Sequence, residues 1–265
     1  MESTHSSAHS PRTTVIVRVA ERHWHALEDD EVVGRGAAWP RHDGRLFLSI
    51  DAWHDATFDL LAAAMLADLP RPLHTIVDAC DLPLASQWER VGFTVRRREW
   101  VCLVPTDPQV TGLGAVRPPP GVTILPLGAA DKGPLRALDR VIRAEVAASV
   151  GWQEMPAEVL PRLDDSTVVD PTKYAVAAEG DDYVGLLRVA PVPRQPRIGL
   201  LAVRAGRQRR GIARALLAEV LGSLHRSGVG AASAEASELN EAATALFDGV
   251  GAERASSNLE LVLPS

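Results

Sequence analysis

Residues 200–217 read LLAVRAGRQRRGIARALL and join an apolar run, a basic loop and an amphipathic segment. The apolar run has the length of a strand, and apolar residues return at helical spacing from Ile212 onwards. Backbone N–H groups at a helix N-terminus lack partners within the helix and lie at the positive end of its dipole. The sequence therefore predicts a strand, a loop that binds an anionic group such as a phosphate, and a helix.

The side chains of this loop favour the same interpretation. Gly211 lets the backbone approach a ligand because it has no Cβ, and Ala213 keeps the next helical turn narrow. Positive charge that does not titrate away near neutral pH comes from Arg207, Arg209, Arg210 and Arg214. The alternative is an arginine-rich surface turn in front of an ordinary helix.

The hexapeptide QRRGIA, residues 208–213, resembles the Gln/Arg-x-x-Gly-x-Gly/Ala signature of the GNAT superfamily of N-acetyltransferases. In that family the loop follows a strand and holds the pyrophosphate of acetyl-CoA. The resemblance implies an α/β fold with a mixed α+β sheet, acetyl-CoA as the acyl donor, and a primary amine as the acceptor. Transfer in this family proceeds by direct attack of the amine on the thioester.

The resemblance also implies which residues hold the donor. By this resemblance, the pyrophosphate is bound by the loop and the start of the helix, namely Gln208, Arg209, Arg210, Gly211, Ile212, Ala213 and Arg214. The backbone of the preceding strand, namely Leu201, Ala202 and Val203, forms the hydrogen bonds to the pantetheine arm and the acetyl carbonyl.

Residues 240–247, NEAATALF, resemble a second block of the family, Asn-x-x-Ala-x-x-Leu-Tyr. Its Asn often contacts the pantetheine, and Asn240 can also cap the helix that follows it. The departure is at Phe247, because many members have there a Tyr that protonates the departing thiolate. A phenyl ring has no proton to give, so either water or the substrate supplies it, or the activity is weak.

Glu235 is the candidate general base. It lies in the predicted strand before Asn240, where the bacterial ribosomal-protein alanine acetyltransferases that this block resembles have a Glu with that role. Arg197 occupies a position at which some relatives have a Glu. A carboxylate in a cleft can accept the proton of an ammonium group directly or through water. The alternative is that Glu235 is the solvent-facing residue of an alternating strand.

The candidate acceptor contacts are Trp152 and Glu154, in a segment between predicted helices. A carboxylate beside an aromatic ring can hold a cationic amine. The alternative is that Trp152 belongs to the core, as large aromatic residues often do.

The two halves of the chain share a pattern, which predicts a tandem arrangement. Asp81 aligns with Asn240 at an offset of 159 residues, and residues 33–34 align with residues 184–185 at an offset of 151. The same comparison predicts that the first half lacks the helices that should follow its first strand.

The first half is also four residues shorter between a strand and a helix. Residues 45–46 align with residues 197–198 at an offset of 152, whereas residues 60–61 align with residues 216–217 at an offset of 156. The missing residues belong to the phosphate loop, and the residues in its place are Asp51, His54 and Asp55. Carboxylates there would repel a pyrophosphate, so the first half is predicted to be degenerate.

These observations predict four segments. Residues 1–12 are a disordered tail, residues 13–104 form the degenerate GNAT-like domain, residues 105–121 are a linker rich in Pro and Gly, and residues 122–265 form the domain that binds acetyl-CoA.

Composition limits the possible partners and compartments. The net charge of −6 argues against a general nucleic-acid binder. The two cysteines have no ligand partners at zinc spacing, so no metal site is predicted. No secretory signal and no membrane-spanning apolar run are found, which predicts a cytoplasmic protein.

Two other functions stay open at this point. The chain could be a catalytically weak acyl-CoA-binding or regulatory protein, as Phe247 and the degenerate first half would favour. It could also be a structural partner whose loop binds a different anion. The sequence specifies neither the acceptor amine nor the oligomeric state.

Overall fold

The structure is a computed structural model that describes residues 13–41, 43–149, 151, 169–192 and 195–265. The predicted tail at residues 1–12 and the candidate acceptor contacts Trp152 and Glu154 lie outside the described residues. No helix in the described part of the chain is long and apolar enough to cross a membrane. Within the same residues, no group of His, Cys, Asp and Glu side chains could hold a metal ion.

The chain divides into two compact units. The N-terminal unit comprises Met1–Arg96 together with Leu259–Ser265, and the C-terminal unit comprises Arg97–Asn258. This division differs from the domain boundaries expected from the sequence, residues 13–104 and 122–265. Two strands account for the difference, because the strand Thr94–Pro105 and the strand Glu253–Leu263 each contribute residues to both units.

In the N-terminal unit a four-stranded antiparallel meander precedes two α/β connections. Its elements are β1 Val15–Ala20, β2 His23–Glu28, β3 Glu31–Pro40, β4 Leu46–Ala52, α1 Asp55–Asp68, β5 Leu73–Asp78 and α2 Leu82–Arg90. A tight turn joins β1 directly to β2, so the helices predicted to be missing are absent from these described residues. The core of the unit includes Trp24, Phe58 and Trp88.

Within its described residues, the C-terminal unit has a mixed sheet and four α-helices. Its elements are β6 Thr94–Pro105, α3 Pro108–Thr111, β7 Val122–Leu125, α4 Lys132–Ala148, β8 Tyr174–Glu179, β9 Asp182–Ala190, β10 Arg197–Val203, α5 Ile212–Arg226, β11 Ala231–Ser237, α6 Glu241–Asp248 and β12 Glu253–Leu263. The strand order is β6-β11-β10-β9-β8-β7. Pairing is antiparallel except between β10 and β11, which run parallel.

The two faces of this sheet bury different helices. One face packs on α5 and α6, and its β11 residues there are Ala232, Ala234 and Ala236. The other face packs on α4, with Leu200 against Ile142 in one apolar cluster. Side chains alternate along a strand, so Glu235 lies on the α4 side of the sheet.

Residues 105–121 belong to the C-terminal unit, although the sequence predicts a linker there. Thr106 Oγ1 donates a hydrogen bond to the carbonyl oxygen of Gly230 at 3.0 Å. Leu113 is buried in the core that contains α5. Pro and Gly in this segment therefore shape short turns and the helix α3, which cover one end of that core.

The two units repeat the same local features, which agrees with the alignment of the halves. Gly34 on β3 and Gly185 on β9 both lie where a helix comes close, because a Cβ would meet Thr57 Cγ2 at 2.9 Å and Ile212 Cγ2 at 3.3 Å, respectively. The aligned residues Asp81 and Asn240 are the N-caps of α2 and α6.

Glu260 is the most heavily paired carboxylate among the described residues of the N-terminal unit. It is 2% exposed. Its Oε1 lies 2.9 Å from Arg45 Nη1, 3.2 Å from Arg96 Nη1 and 3.3 Å from His74 Nδ1. This carboxylate therefore anchors the end of β12 in the N-terminal unit, although its partners lie far from Glu260 along the chain.

We therefore expect Glu260→Ala to destabilise the protein by about 3 kcal/mol, because two largely buried guanidinium groups lose this buried carboxylate as a partner. A lower urea midpoint checks this. Glu253→Ala, at an exposed position of the same strand, should leave the midpoint within about 0.5 kcal/mol of the parent. Equal midpoints for both variants would contradict the anchoring role.

Candidate functional site

A cavity of about 900 Å³ lies in the C-terminal unit where β10 and β11 separate. In the described structure the two strands pair only at Arg197–Ser233 and Ile198–Ala234. Beyond these pairs β10 stays paired with β9 as far as Val203, and a bulge interrupts that pairing between Ile198 and Leu200. A bulge bends its strand and increases its twist. The edge of β10 that faces β11 therefore carries backbone groups a ligand can use.

The loop after β10 has an unusual backbone. Arg209 has φ 60° and Gly211, the N-cap of α5, has φ 87°. A residue with a Cβ adopts such a conformation only at a cost, so glycine is the favoured residue at position 211. Gly211 provides no side-chain cap, and the N–H groups of Ile212, Ala213 and Arg214 lie in the first turn, where a helix has no partners for them. This arrangement suits an anion.

The arginines of the loop differ in their contacts. Arg207 and Arg210 both contact the carboxylate of Glu179 on β8, with Arg210 Nη1 3.0 Å from Glu179 Oε1. The hydrogen bond from Arg207, and to a smaller extent the one from Arg210, holds the pKa of Glu179 below its usual range. Arg207, Arg209 and Arg214 line the cavity, whereas Arg210 does not. The four arginines are therefore not equivalent, although nothing in their sequence pattern separates them.

Acidic side chains line the part of the cavity formed by β6, β11 and α4. Glu235 on β11 lies there, and its Oε1 accepts a hydrogen bond from Arg197 Nη1 at 2.9 Å. Arg197 thus forms an ion pair with the candidate base. Glu145 on α4 accepts a hydrogen bond at Oε2 from the backbone N–H of Ala205 at 2.8 Å, which ties α4 to the start of the loop.

The α6 block contributes Asn240 and Phe247. Asn240 Oδ1 accepts a hydrogen bond from the backbone N–H of Ala243 at 3.0 Å, so its side chain caps α6. Both residues line the cavity, and the Phe247 ring is also buried in the α5 core. The cap occupies the amide oxygen and leaves the amide nitrogen as the group that could donate to a ligand.

The cavity brings together most of the predicted site residues. Those that line it are Leu201, Ala202, Val203, Gln208, Arg209, Gly211, Ile212, Ala213, Arg214, Glu235, Asn240 and Phe247. Sequence reasoning missed Glu99, which lies on β6 and also lines the cavity. Its strand was expected to belong to the first domain, and Glu99 directly follows three arginines in that strand, so no local signal distinguished it.

Residues 139–252 match the model of the acetyltransferase (GNAT) family. This part of the chain is similar to a GNAT acetyltransferase domain. The match contains β10, the loop with Gly211, and α5, which are the elements that carry the resemblance in the sequence. It supports acyl transfer as the type of activity and confirms the resemblance.

Solved structures of GNAT proteins share the fold. A GCN5-related N-acetyltransferase from Sphaerobacter thermophilus has 19% identity and a TM-score of 0.65 over 94% of this chain and 82% of that chain. A tandem GNAT protein from the clavulanic acid biosynthesis pathway has 14% identity and a TM-score of 0.64 over 96% of this chain and 84% of that chain. A GCN5-related N-acetyltransferase from Kribbella flavida has 16% identity and a TM-score of 0.57 over 96% and 90% of the two chains.

These similarities establish a mixed α/β GNAT fold with two tandem units. No curated protein matches the sequence. The degeneracy of the N-terminal unit stays a prediction from the missing loop. In the structure α1 follows β4 closely, with His54 as its N-cap.

The cap on α6 gives a direct test of local geometry. Asn240→Ala should lower the free energy of unfolding by about 1 kcal/mol, because the N–H of Ala243 loses its acceptor. Asn240→Ser should recover most of that loss, since a hydroxyl oxygen also caps a helix. Urea unfolding of the three proteins provides the measurement, and equal stabilities for the Ala and Ser variants would rule out the cap.

Proposed function

We propose that the C-terminal unit transfers an acetyl group from acetyl-CoA to a primary amine by direct attack. One observation carries this proposal: beyond its two pairs with β11, the edge of β10 leads through one loop to an α5 N-terminus that no side chain of the described residues caps. Acetyl-CoA has an extended polar arm that ends in a pyrophosphate. Such a molecule fits a strand edge that is followed by an anion-binding turn.

The donor would lie along β10 with its pyrophosphate at the loop. Backbone groups of Leu201, Ala202 and Val203 would hydrogen-bond the pantetheine arm and the acetyl carbonyl. Arg209 and Arg214 line the cavity and would add charge to the N–H groups of the α5 turn. The Asn240 amide nitrogen would donate to the arm while its oxygen keeps the helix cap.

The reaction needs a base, an oxyanion site and a proton for the leaving group. The amine nitrogen bonds to the acetyl carbon, the C–S bond breaks, and CoA leaves as a thiolate. Backbone N–H groups on the β10 edge would stabilise the oxyanion. Glu235 would accept the proton of the amine, directly or through water. Water or the substrate would protonate the thiolate, since Phe247 cannot.

A covalent acetyl-enzyme is not part of the proposal. Cys102 is the cysteine of the C-terminal unit, and it is buried on β6 on the α5 side of the sheet. Burial raises the pKa of its thiol, partly opposed by Arg254. A buried, protonated thiol is a poor nucleophile, which supports direct transfer to the amine.

Phe247 favours a second candidate function, an acyl-CoA-binding or regulatory protein with weak catalysis. Its ring lies in the cavity wall, at the position where many family members have a Tyr that supplies a proton. In that case the protein would bind acetyl-CoA but transfer its acetyl group slowly to every amine.

The proposal predicts that Glu235→Gln lowers kcat for acetyl transfer by about a hundredfold, because the amide cannot accept the proton. The dissociation constant of acetyl-CoA should stay within about twofold of the parent value, since Glu235 acts on the acceptor. Steady-state kinetics with a panel of primary amines gives kcat. Calorimetry with acetyl-CoA gives its dissociation constant.

Glu238→Gln is the matched control, because Glu238 carries the same charge just beyond β11, is half-exposed, and does not line the cavity. Unchanged turnover in Glu235→Gln would remove Glu235 from the mechanism. Tight binding of acetyl-CoA without transfer to any amine would support the regulatory alternative instead.

A further inference from the structure

We propose that Glu99 determines acceptor specificity by binding a second positive charge on the amine substrate. The inference rests on the proposed function, because it assigns the carboxylate to the same cavity. Acceptors of this enzyme would then be diamines or other dibasic amines. Their reacting group would lie near Glu235 and their second cationic group near Glu99.

The strand register places the two carboxylates together. In the pairing of β11 with β6, Glu235 lies opposite Val101 and Ser237 lies opposite Glu99. Directly opposed residues of an antiparallel pair share a face, and diagonal neighbours lie about 7 Å apart. Glu99 and Glu235 are diagonal neighbours on the α4 side of the sheet, and both line the cavity.

Each of the two carboxylates forms an ion pair with an arginine that does not line the cavity. Arg97 Nη1 lies 3.1 Å from Glu99 Oε1, and Arg197 Nη1 lies 2.9 Å from Glu235 Oε1. Glu99 and Glu235 line the cavity, whereas Arg97 and Arg197 do not. The arginines therefore hold the carboxylates in place, and the groups that line the cavity at these two positions are the carboxylates.

Burial makes Glu99 selective. The residue is 8% exposed, so a ligand group that reaches it leaves most of its water behind. An ammonium group recovers that cost by a charge-assisted hydrogen bond, whereas a methyl group does not and a carboxylate is repelled. Glu145 adds a third carboxylate from α4 to the cavity lining, and the lining arginines of the loop lie in the part assigned to the pyrophosphate.

The test uses three amines that each have five carbon atoms and differ at the far end: cadaverine, n-pentylamine and 5-aminopentanoate. Each is titrated by calorimetry into the full-length protein saturated with CoA, so that no turnover occurs. Cadaverine should bind at least about tenfold more tightly than pentylamine, because it gains one hydrogen bond between charged groups. The aminopentanoate should bind most weakly.

Glu99→Gln should reduce the preference for cadaverine over pentylamine to about twofold or less, with the affinity for pentylamine and for CoA unchanged. Because this variant leaves Arg97 buried beside a neutral amide, the double variant Arg97→Gln/Glu99→Gln is measured with it and should show the same loss. Glu238→Gln should keep the wild-type preference. A fold defect alone would weaken all three amines together.

The possible failures are distinguishable. If CoA binds but cadaverine shows no preference in the wild type, or keeps its preference in both Glu99 variants, the specificity role of Glu99 is wrong and the proposed function stands. If the wild type does not bind CoA, the proposed function fails, and the inference about Glu99 fails with it.

Discussion

The early separation of β10 from β11 is the constraint on which the site depends. Two residue pairs hold the strands together, and the bulge between Ile198 and Leu200 turns β10 away from its neighbour. The separation exposes a strand edge inside the unit, opens the cavity, and directs the end of β10 towards the α5 loop. Closing this gap by further pairing would occupy the backbone groups that the proposed donor site uses.

The same separation occurs in the N-terminal unit, where β4 and β5 pair only at Leu46–Leu73 and Phe47–His74. The two units differ in the segment between the strand and its helix. In the C-terminal unit a loop with Gly211 precedes the helix, whereas in the N-terminal unit α1 begins at Asp55, close behind β4. A splayed pair of strands thus occurs in both units, and the loop is the element that forms the proposed anion site in one of them.

Local features of this fold could be predicted from the sequence, and long-range pairing could not. The α5 loop and the Asn240 cap each follow from residue type and spacing within a few residues. The boundary between the units depends on which neighbours β6 and β12 choose, and those neighbours are far away in the chain. Glu99 was missed for that reason, because its place in the cavity follows from the pairing of β6 with β11.

The most direct test of the proposed donor site is calorimetric binding of acetyl-CoA to the wild type, Gly211→Glu and Gly228→Glu. Gly228 lies at the other end of α5 and has φ 81°, close to the 87° of Gly211, so both variants introduce the same strain and charge. Binding by the wild type and by Gly228→Glu, and its loss in Gly211→Glu, is the predicted result. Equal binding by all three proteins, or none by the wild type, would contradict an acetyl-CoA site at this helix.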